Sequence, residues 1–338
     1  MIFVTGGSGL VGSHLLLELA KEGKQIRALK RPTSDTGVIK KLSKWYHLDA
    51  EKLLQNITWV DGDLLDPISI NTALEGVQEV YHCAATVSFN PGDRLKMIRN
   101  NVDGTSNLVN ACLEHKINKF CHVSSVAAFG KSVDGGAVDE ESMRDSQSGH
   151  SGYSTSKYWS ELEVWRGHTE GLNTIIVNPS IILGPAPDWS KGSQRMFNAV
   201  ANGMKFFTSG ASGFVDVKDV VTIMIELMDK SIFGQRFCLN AENISYREVF
   251  SEIAQSLNRK PPHIEAKPWM LQILRFMETI ISKFNGKEPR VSKESARSAF
   301  NQTSYSNKKI VDLLNYDFVP IKKTIHSTCK LFLKESEN

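Results

Sequence analysis

Three clusters in the first half of the chain carry groups that chemistry can use. Thr5-Gly6-Gly7-Ser8-Gly9-Leu10-Val11-Gly12 follows the apolar run 2–5 and opens a helix-like stretch. In that setting the glycine spacing is a dinucleotide fingerprint. Gly6 takes a tight turn, Gly9 lets the backbone approach a pyrophosphate, Gly12 allows close helix-to-strand packing, and free N–H groups at the helix start favour an anion. About 20 positions on, where an NAD-preferring fold places an acidic residue for the ribose 2′-hydroxyl, the chain reads Ala28-Leu29-Lys30-Arg31. Two cations there suit the 2′-phosphate of NADP, with NAD as the alternative if Lys30 and Arg31 are simply solvated charges at a strand end. Asp63, after the third apolar run, is placed to bond the adenine amino group.

The third cluster is Tyr153-Ser154-Thr155-Ser156-Lys157. Four residues are about one helical turn, so the phenol and the ammonium share a face. Tyrosine and lysine at this spacing are commonly a solvated pair. Their position, after the fifth apolar run and before the sixth, is what singles them out. Cys83-Ala84-Ala85 ends the fourth run with side chains small enough for a ribose to lie near the backbone, although core packing accounts for them almost as well.

These groups need a frame. Apolar runs at 2–5, 25–29, 57–60, 79–83, 119–124 and 174–178 alternate with helix-like stretches at 11–22, 69–74, 94–114 and 154–170. That alternation predicts an α/β fold with a doubly wound parallel sheet, which binds ligands at the carboxyl ends of its strands. A dinucleotide-binding domain over 1–178 is expected, with segments 214–217 and 236–240 as strands returning to the sheet side. The expected smaller substrate domain is discontinuous, over 179–213 and 241–338. Its aromatic residues Trp189, Phe197, Phe206 and Phe207, with Met196, read as a lipophilic pocket.

The net charge of +3 comes from 40 basic and 37 acidic residues with no long block of one sign, so nucleic acid is not implied. Five dispersed cysteines form no CxxC pair, which predicts neither a metal centre nor a disulfide framework and fits a reducing cytoplasm. The glycine loop follows so closely on Met1 that no secretory leader is expected. Residues 269–284 are too short and too charged for a membrane span and read as an amphipathic helix.

The chain resembles the extended short-chain dehydrogenases/reductases, also described as the NAD-dependent epimerase/dehydratase family. The shared motifs are TGGSGLVG at 5–12, Asp63-Leu64, Asn101-Val102-Asp103-Gly104-Thr105, Ser124-Ser125, Tyr153 through Lys157, Asn178-Pro179-Ser180 and Phe214 through Val220, in that order. RALKRPTSD at 27–35 and VNPSIILGP at 177–185 are most similar to the dihydroflavonol reductase and 3β-hydroxysteroid dehydrogenase branch. The resemblance implies a Rossmann fold and a catalytic tetrad of Asn101, Ser125, Tyr153 and Lys157. Tyr153 would exchange the proton, Lys157 would lower its pKa, and Ser125 would hydrogen-bond the substrate oxygen. Ser125 is preferred to Ser124 because it stands five residues before Gly130, as the family's reactive hydroxyl does; Phe129 replaces the tyrosine many members carry there. The cofactor would be contacted by Thr5, Gly6, Gly9, Leu10, Val11, Gly12, Lys30, Arg31, Asp63, Leu64, Cys83, Ala84, Ala85, Ser124, Tyr153, Lys157, Asn178, Pro179 and Ser180. A homodimer is implied, its helices 94–114 and 154–170 pairing across a two-fold axis through Met97, Val102, Leu108, Val109 and Cys112.

The expected activity is NADP-dependent interconversion of a carbonyl and an alcohol on a small, mainly apolar substrate. A nucleotide-sugar epimerase or dehydratase with tightly bound NAD is the alternative, with Lys191, Arg195 and Lys205 available for a diphosphate. A non-enzymatic redox sensor on the same fold is the third reading, disfavoured because both Tyr153 and Lys157 are present.

Overall fold

All six apolar runs are strands. Those inside the sheet are buried on both faces, the condition a parallel sheet between two helix layers imposes, while the run 57–60 forms an edge strand with Thr58 exposed. The computed structural model of the chain describes residues 1–88, 91–132, 135–145, 150–270, 272 and 299–336. The strands are β1 (Ile2–Thr5), β2 (Ile26–Lys30), β3 (Ile57–Asp61), β4 (Glu79–His82), β5 (Lys119–Val123), β6 (Thr174–Pro179), β7 (Ile181–Leu183), β8 (Phe206–Phe207), β9 (Ala211–Asp216), β10 (Gln235–Leu239), β11 (Glu242–Ser245) and β12 (Ile264–Glu265). The helices are α1 (Leu10–Lys21), α2 (Val38–Trp45), α3 (Ala50–Leu54), α4 (Pro67–Leu74), α5 (Arg94–Glu114), α6 (Gly152–Thr169), α7 (Arg195–Ala201), α8 (Val217–Asp229), α9 (Tyr246–Ser256), α10 (Lys308–Leu314) and α11 (Ile321–Ser336). Helices α2 and α3 occupy a connection in which the periodicity marks no element.

The main sheet has seven parallel strands in the order β3-β2-β1-β4-β5-β6-β10. Helices α1 and α8 cover one face through Leu15, Leu16, Ile223 and Met224. Helices α4, α5 and α6 cover the other through Ile70, Leu108, Val109 and Val164. The chain reverses direction across the sheet between β1 and β4, so the crevice at their carboxyl ends is the topological switch point.

Of the two later segments expected near the sheet, β10 pairs with β6 as the seventh strand. β9 pairs instead with β7 and β11 in a separate three-stranded sheet. That sheet, with α7, α9 and α11, encloses a second core built on Leu183, Phe197, Phe214, Ile253 and Ile325.

Two expectations are corrected here. Trp189, Met196 and Phe197 belong to or pack against this second core and Phe207 is buried, while Phe206 is exposed, so among the described residues these side chains fill a core or face outward rather than line one pocket. Helix α7 needs a buried apolar face of its own, and composition does not separate core from cavity. On α5, Met97, Leu108, Val109 and Cys112 are buried within the protomer, where they dock the helix onto the sheet and α6. Val102 is half-buried, and Leu95, Trp159 and Leu162 are exposed large apolar residues on these two helices.

Of the 269–284 stretch, all but Trp269, Met270 and Gln272 lies outside the described residues. Among the described residues no helix is long and apolar enough to cross a membrane.

Candidate active site

The glycine loop brings two backbones into contact. Gly6 has φ +71°, and a Cβ there would lie 2.6 Å from the Ala84 nitrogen. A Cβ on Gly12 would collide with the Gly6 carbonyl oxygen. Gly9 is the N-cap of α1, with no side chain capping the helix and no acidic residue in its first turn. The first-turn N–H groups around Leu10 and Val11, and the positive end of the helix dipole, are therefore left for an anion.

A cavity of about 390 Å³ runs from this loop along the strand ends. Thr5, Gly6, Ser8 and Gly9 line one side, and Asp63, Leu64, Cys83, Ala84 and Ala85 line another. Lys30, Arg31 and Ser34 stand at the end of β2, and Lys191 reaches the same cavity from the smaller unit. Helix α2 fixes that approach: the Lys41 ammonium donates to the Pro187 carbonyl at 2.7 Å, and Trp45 lies against Trp189 with ring centroids 6.2 Å apart.

The two cations at the end of β2 differ. Lys30 pairs with Asp61, its cross-strand neighbour on β3, at 2.5 Å, because register places the two side by side. Arg31 is exposed at the cavity, and its backbone N–H donates to the Ser34 hydroxyl at 3.0 Å. The Asp63 carboxylate accepts from the Leu65 N–H at 2.9 Å, within its own loop.

Beneath the cavity a buried chain of hydrogen bonds joins three elements. The Ala84 N–H donates to the Thr5 hydroxyl at 3.3 Å, and Thr5 Oγ1 lies 2.7 Å from His82 Nδ1. His82 Nε2 is 3.0 Å from Thr105 Oγ1, which donates to the Asn101 carbonyl at 2.6 Å. That last direction makes Thr105 the acceptor from Nε2–H and Thr5 the donor to Nδ1. Burial keeps the ring neutral, with its pKa pulled down to about 3.

The Asn101 side chain clamps the loop after β4. Its Oδ1 accepts from the Thr86 N–H at 2.7 Å, and Nδ2 donates to the Thr86 carbonyl at 2.9 Å and to Ser156 Oγ at 3.0 Å. The Ser160 hydroxyl on α6 donates to the Asn101 carbonyl at 3.0 Å. Asn101 thus ties the cavity wall to the helix that carries Lys157.

Ser151 caps α6 by accepting from the Ser154 N–H at 3.0 Å, and the Arg144 guanidinium donates to Ser154 Oγ at 3.0 Å in the same turn. The Tyr153 phenol is hydrogen-bonded by Ser125, which opposes the rise that burial imposes on its pKa. Ser124, one residue earlier, faces the buried Glu161 instead. The Lys157 ammonium donates to the Val123 carbonyl at 2.9 Å. Burial pulls its pKa down to about 8, opposed by Glu161 and Cys83. In the protein alone, burial holds the Tyr153 phenol above its ordinary value.

Of the residues expected at the cofactor, Leu10, Val11, Gly12, Tyr153 and Lys157 do not line the cavity, and neither do Ser124, Asn178, Pro179 and Ser180, which are buried. β6 lies between β5 and β10, so Asn178 is enclosed, and its Nδ2 donates to the Ser125 carbonyl at 3.0 Å and to Glu161 Oε1 at 2.5 Å. Thr86 and Glu161 are participants the motifs do not name, and Ser34 lies within the 27–35 motif without having been singled out. Glu161 had a signal, since it continues the Tyr153, Lys157 spacing by one more turn.

The sequence signature of the NAD dependent epimerase/dehydratase family matches residues 2–237. The chain is similar to sterol demethylase protein B of Methylococcus capsulatus, at 29% identity over 87% of this chain and 86% of that one. It is similar to cinnamoyl-CoA reductase 1 of Petunia hybrida, at 25% identity over 98% and 91%. Its fold matches the UDP-glucose 4-epimerase of Thermotoga maritima, solved with UDP-glucose, with a TM-score of 0.76, 17% identity and 99% of each chain covered. With a seven-stranded doubly wound sheet, an uncapped glycine-loop helix and this match over most of its length, the chain belongs to the NAD dependent epimerase/dehydratase family of extended short-chain dehydrogenases/reductases, and is an NAD(P)-dependent enzyme of that type.

Proposed function

We propose that the protein is an NADP-dependent oxidoreductase that interconverts a carbonyl and an alcohol on a small, mainly apolar substrate. The observation that carries this reading is the α6 turn that sets Tyr153 four residues before the buried Lys157, whose ammonium donates to the Val123 carbonyl at the end of β5, while Asn101, which lines the cavity, bonds Ser156 on the same turn. The glycine cradle, which a Cβ would fill, and the uncapped start of α1 fit a dinucleotide pyrophosphate. A bound nicotinamide supplies or takes up the hydride.

The chain's own residues handle the proton. In the reducing direction Tyr153 gives its phenolic proton to the substrate oxygen while Ser125 hydrogen-bonds the charge developing there. Lys157, charged below about 8, favours the phenolate that remains. Asn101 holds the Thr86 loop at the mouth of the site. For cofactor choice, Arg31 and Ser34 offer a guanidinium and a hydroxyl to a 2′-phosphate. Lys30 neutralises Asp61, the nearest carboxylate on the adjoining strand, which leaves less to attract an NAD ribose diol. The five cysteines are free thiols, which fits a reducing cytoplasm.

The mainly apolar substrate class follows the names of the relatives, a cinnamoyl-CoA reductase and a sterol demethylase component. Lys191 at the cavity favours a second reading, a nucleotide-sugar epimerase. One assay separates the two: oxidation of NADPH and NADH by the purified protein against ketones, aldehydes and UDP-sugars. Net NADPH oxidation with an apolar carbonyl is expected. Interconversion of UDP-sugars without net cofactor turnover would replace the proposal.

A further inference from the structure

We propose that Glu161 is a positioning residue of the proton-transfer site, whose buried carboxylate, braced by Asn178 and Arg236, keeps the Lys157 side chain charged. The proposal rests on the reading of Lys157 given above. Tyr153, Lys157 and Glu161 are spaced four residues apart on α6, and Lys157 and Glu161 are 4% and 1% exposed. A buried ammonium without a compensating anion sheds its proton. The Val123 carbonyl that Lys157 bonds is neutral, so it orients the ammonium without balancing its charge.

The groups facing Lys157 from every packed element narrow the choice. His82 on β4 and His122 on β5 are held neutral by burial and offer no negative charge. Cys83, after β4, has its thiol pushed up to about 12 and stays protonated. Tyr153, on the same helix, is raised and neutral. Among these groups Glu161 alone is a carboxylic acid; burial raises its pKa, Arg236 and Asn178 oppose that rise, and it is the largest influence opposing the effect of burial on Lys157.

Glu161 is itself buried, so its charge has to be maintained. Arg236 on β10 places Nη1 3.2 Å from Oε2, and Asn178 donates to Oε1 at 2.5 Å. Arg236 is fixed in turn: its Nε donates to the Glu140 carbonyl at 3.0 Å, and its guanidinium lies 4.8 Å from the centre of the Phe129 ring. The same Asn178 amide holds the Ser125 carbonyl. One bracket therefore supports both the charge on Lys157 and the backbone that presents Ser125.

The test follows NADPH affinity by fluorescence across neutral and alkaline pH, using the full chain as wild type, Lys157→Met, Glu161→Gln and Glu161→Asp. Wild-type affinity should fall as Lys157 loses its proton, centred on about 8. Lys157→Met should lack that limb. Glu161→Gln should move it to lower pH by roughly one to three units, the usual effect of removing an adjacent opposite charge. Glu161→Asp, which keeps the charge but withdraws it by one methylene, should fall between. A purely structural role would weaken binding evenly at every pH and lower Tm without moving the limb. An unmoved limb in whichever Glu161 variant folds would overturn the proposal. A wild-type limb that is absent, or that persists in Lys157→Met, would overturn the reading of Lys157 itself.

Discussion

The two ends of the site are specified by different atoms. At the glycine loop, backbone meets backbone: Gly6 lies on Ala84, Gly12 lies on the Gly6 carbonyl, and α1 begins without a side-chain cap. At the reaction end, side chains hold one another. Asn101 bonds Thr86 and Ser156, Asn178 bonds Ser125 and Glu161, and Arg236 bonds Glu161 and Glu140. A site that recognises a phosphate needs N–H groups and empty space, which any chain with glycines can provide. A site that moves a proton needs particular pKa values, and those depend on what surrounds each group.

The contrast can be broken by exchanging the consequences of mutation. The largest effect is expected for Tyr153→Phe, which removes the exchanged proton but no part of the cradle. Turnover should drop by roughly 10²–10⁴-fold, while the NADPH Kd from fluorescence titration stays near wild type. Retained turnover on a confirmed substrate would remove Tyr153 from its role.

Gly6→Ala should do the reverse. The left-handed φ alone costs about 1–2 kcal/mol, and the new methyl meets the Ala84 backbone, which cannot yield as a side chain would. Loss of NADPH binding with a lowered Tm is expected, measured by calorimetry and thermal melts. Full affinity in a folded Gly6→Ala protein would show that the loop is not built on that contact.

The smallest effect sharpens the boundary between the two ends. Arg31→Ala deletes a side chain from the backbone-built end, where a charge-assisted hydrogen bond is worth about 1.5–3 kcal/mol. NADPH affinity should fall about tenfold or more, with each tenfold about 1.4 kcal/mol, and NADH affinity should be unchanged. Equal losses for both cofactors would argue against a 2′-phosphate contact.

The strands of the main sheet were legible in the sequence because burial on both faces leaves continuous apolar runs, and α5 was legible to its end residues. The glycine loop was legible because only glycine tolerates such close approach. The tyrosine–lysine pair was legible as spacing, whereas the choice of Ser125 over Ser124 leaned on family resemblance.

Other features depended on neighbours far apart in the chain. Lys30 and Arg31 are alike as letters, yet register pairs Lys30 with Asp61, 31 residues away, and leaves Arg31 at the cavity. Trp189 and Phe197 carry the same apolar signal whether they line a pocket or fill a core, and here α7, α9 and α11 enclose them in a core. Leu108, Val109 and Cys112 form a stripe that serves a subunit contact or a sheet equally well, and the sheet-side core occupies it. The sequence by itself determined the local backbone and the residue types on each face. Only the tertiary structure decided the partners, and with them the pKa values, because desolvation and charge pairing are set by what lies within a few ångströms in space.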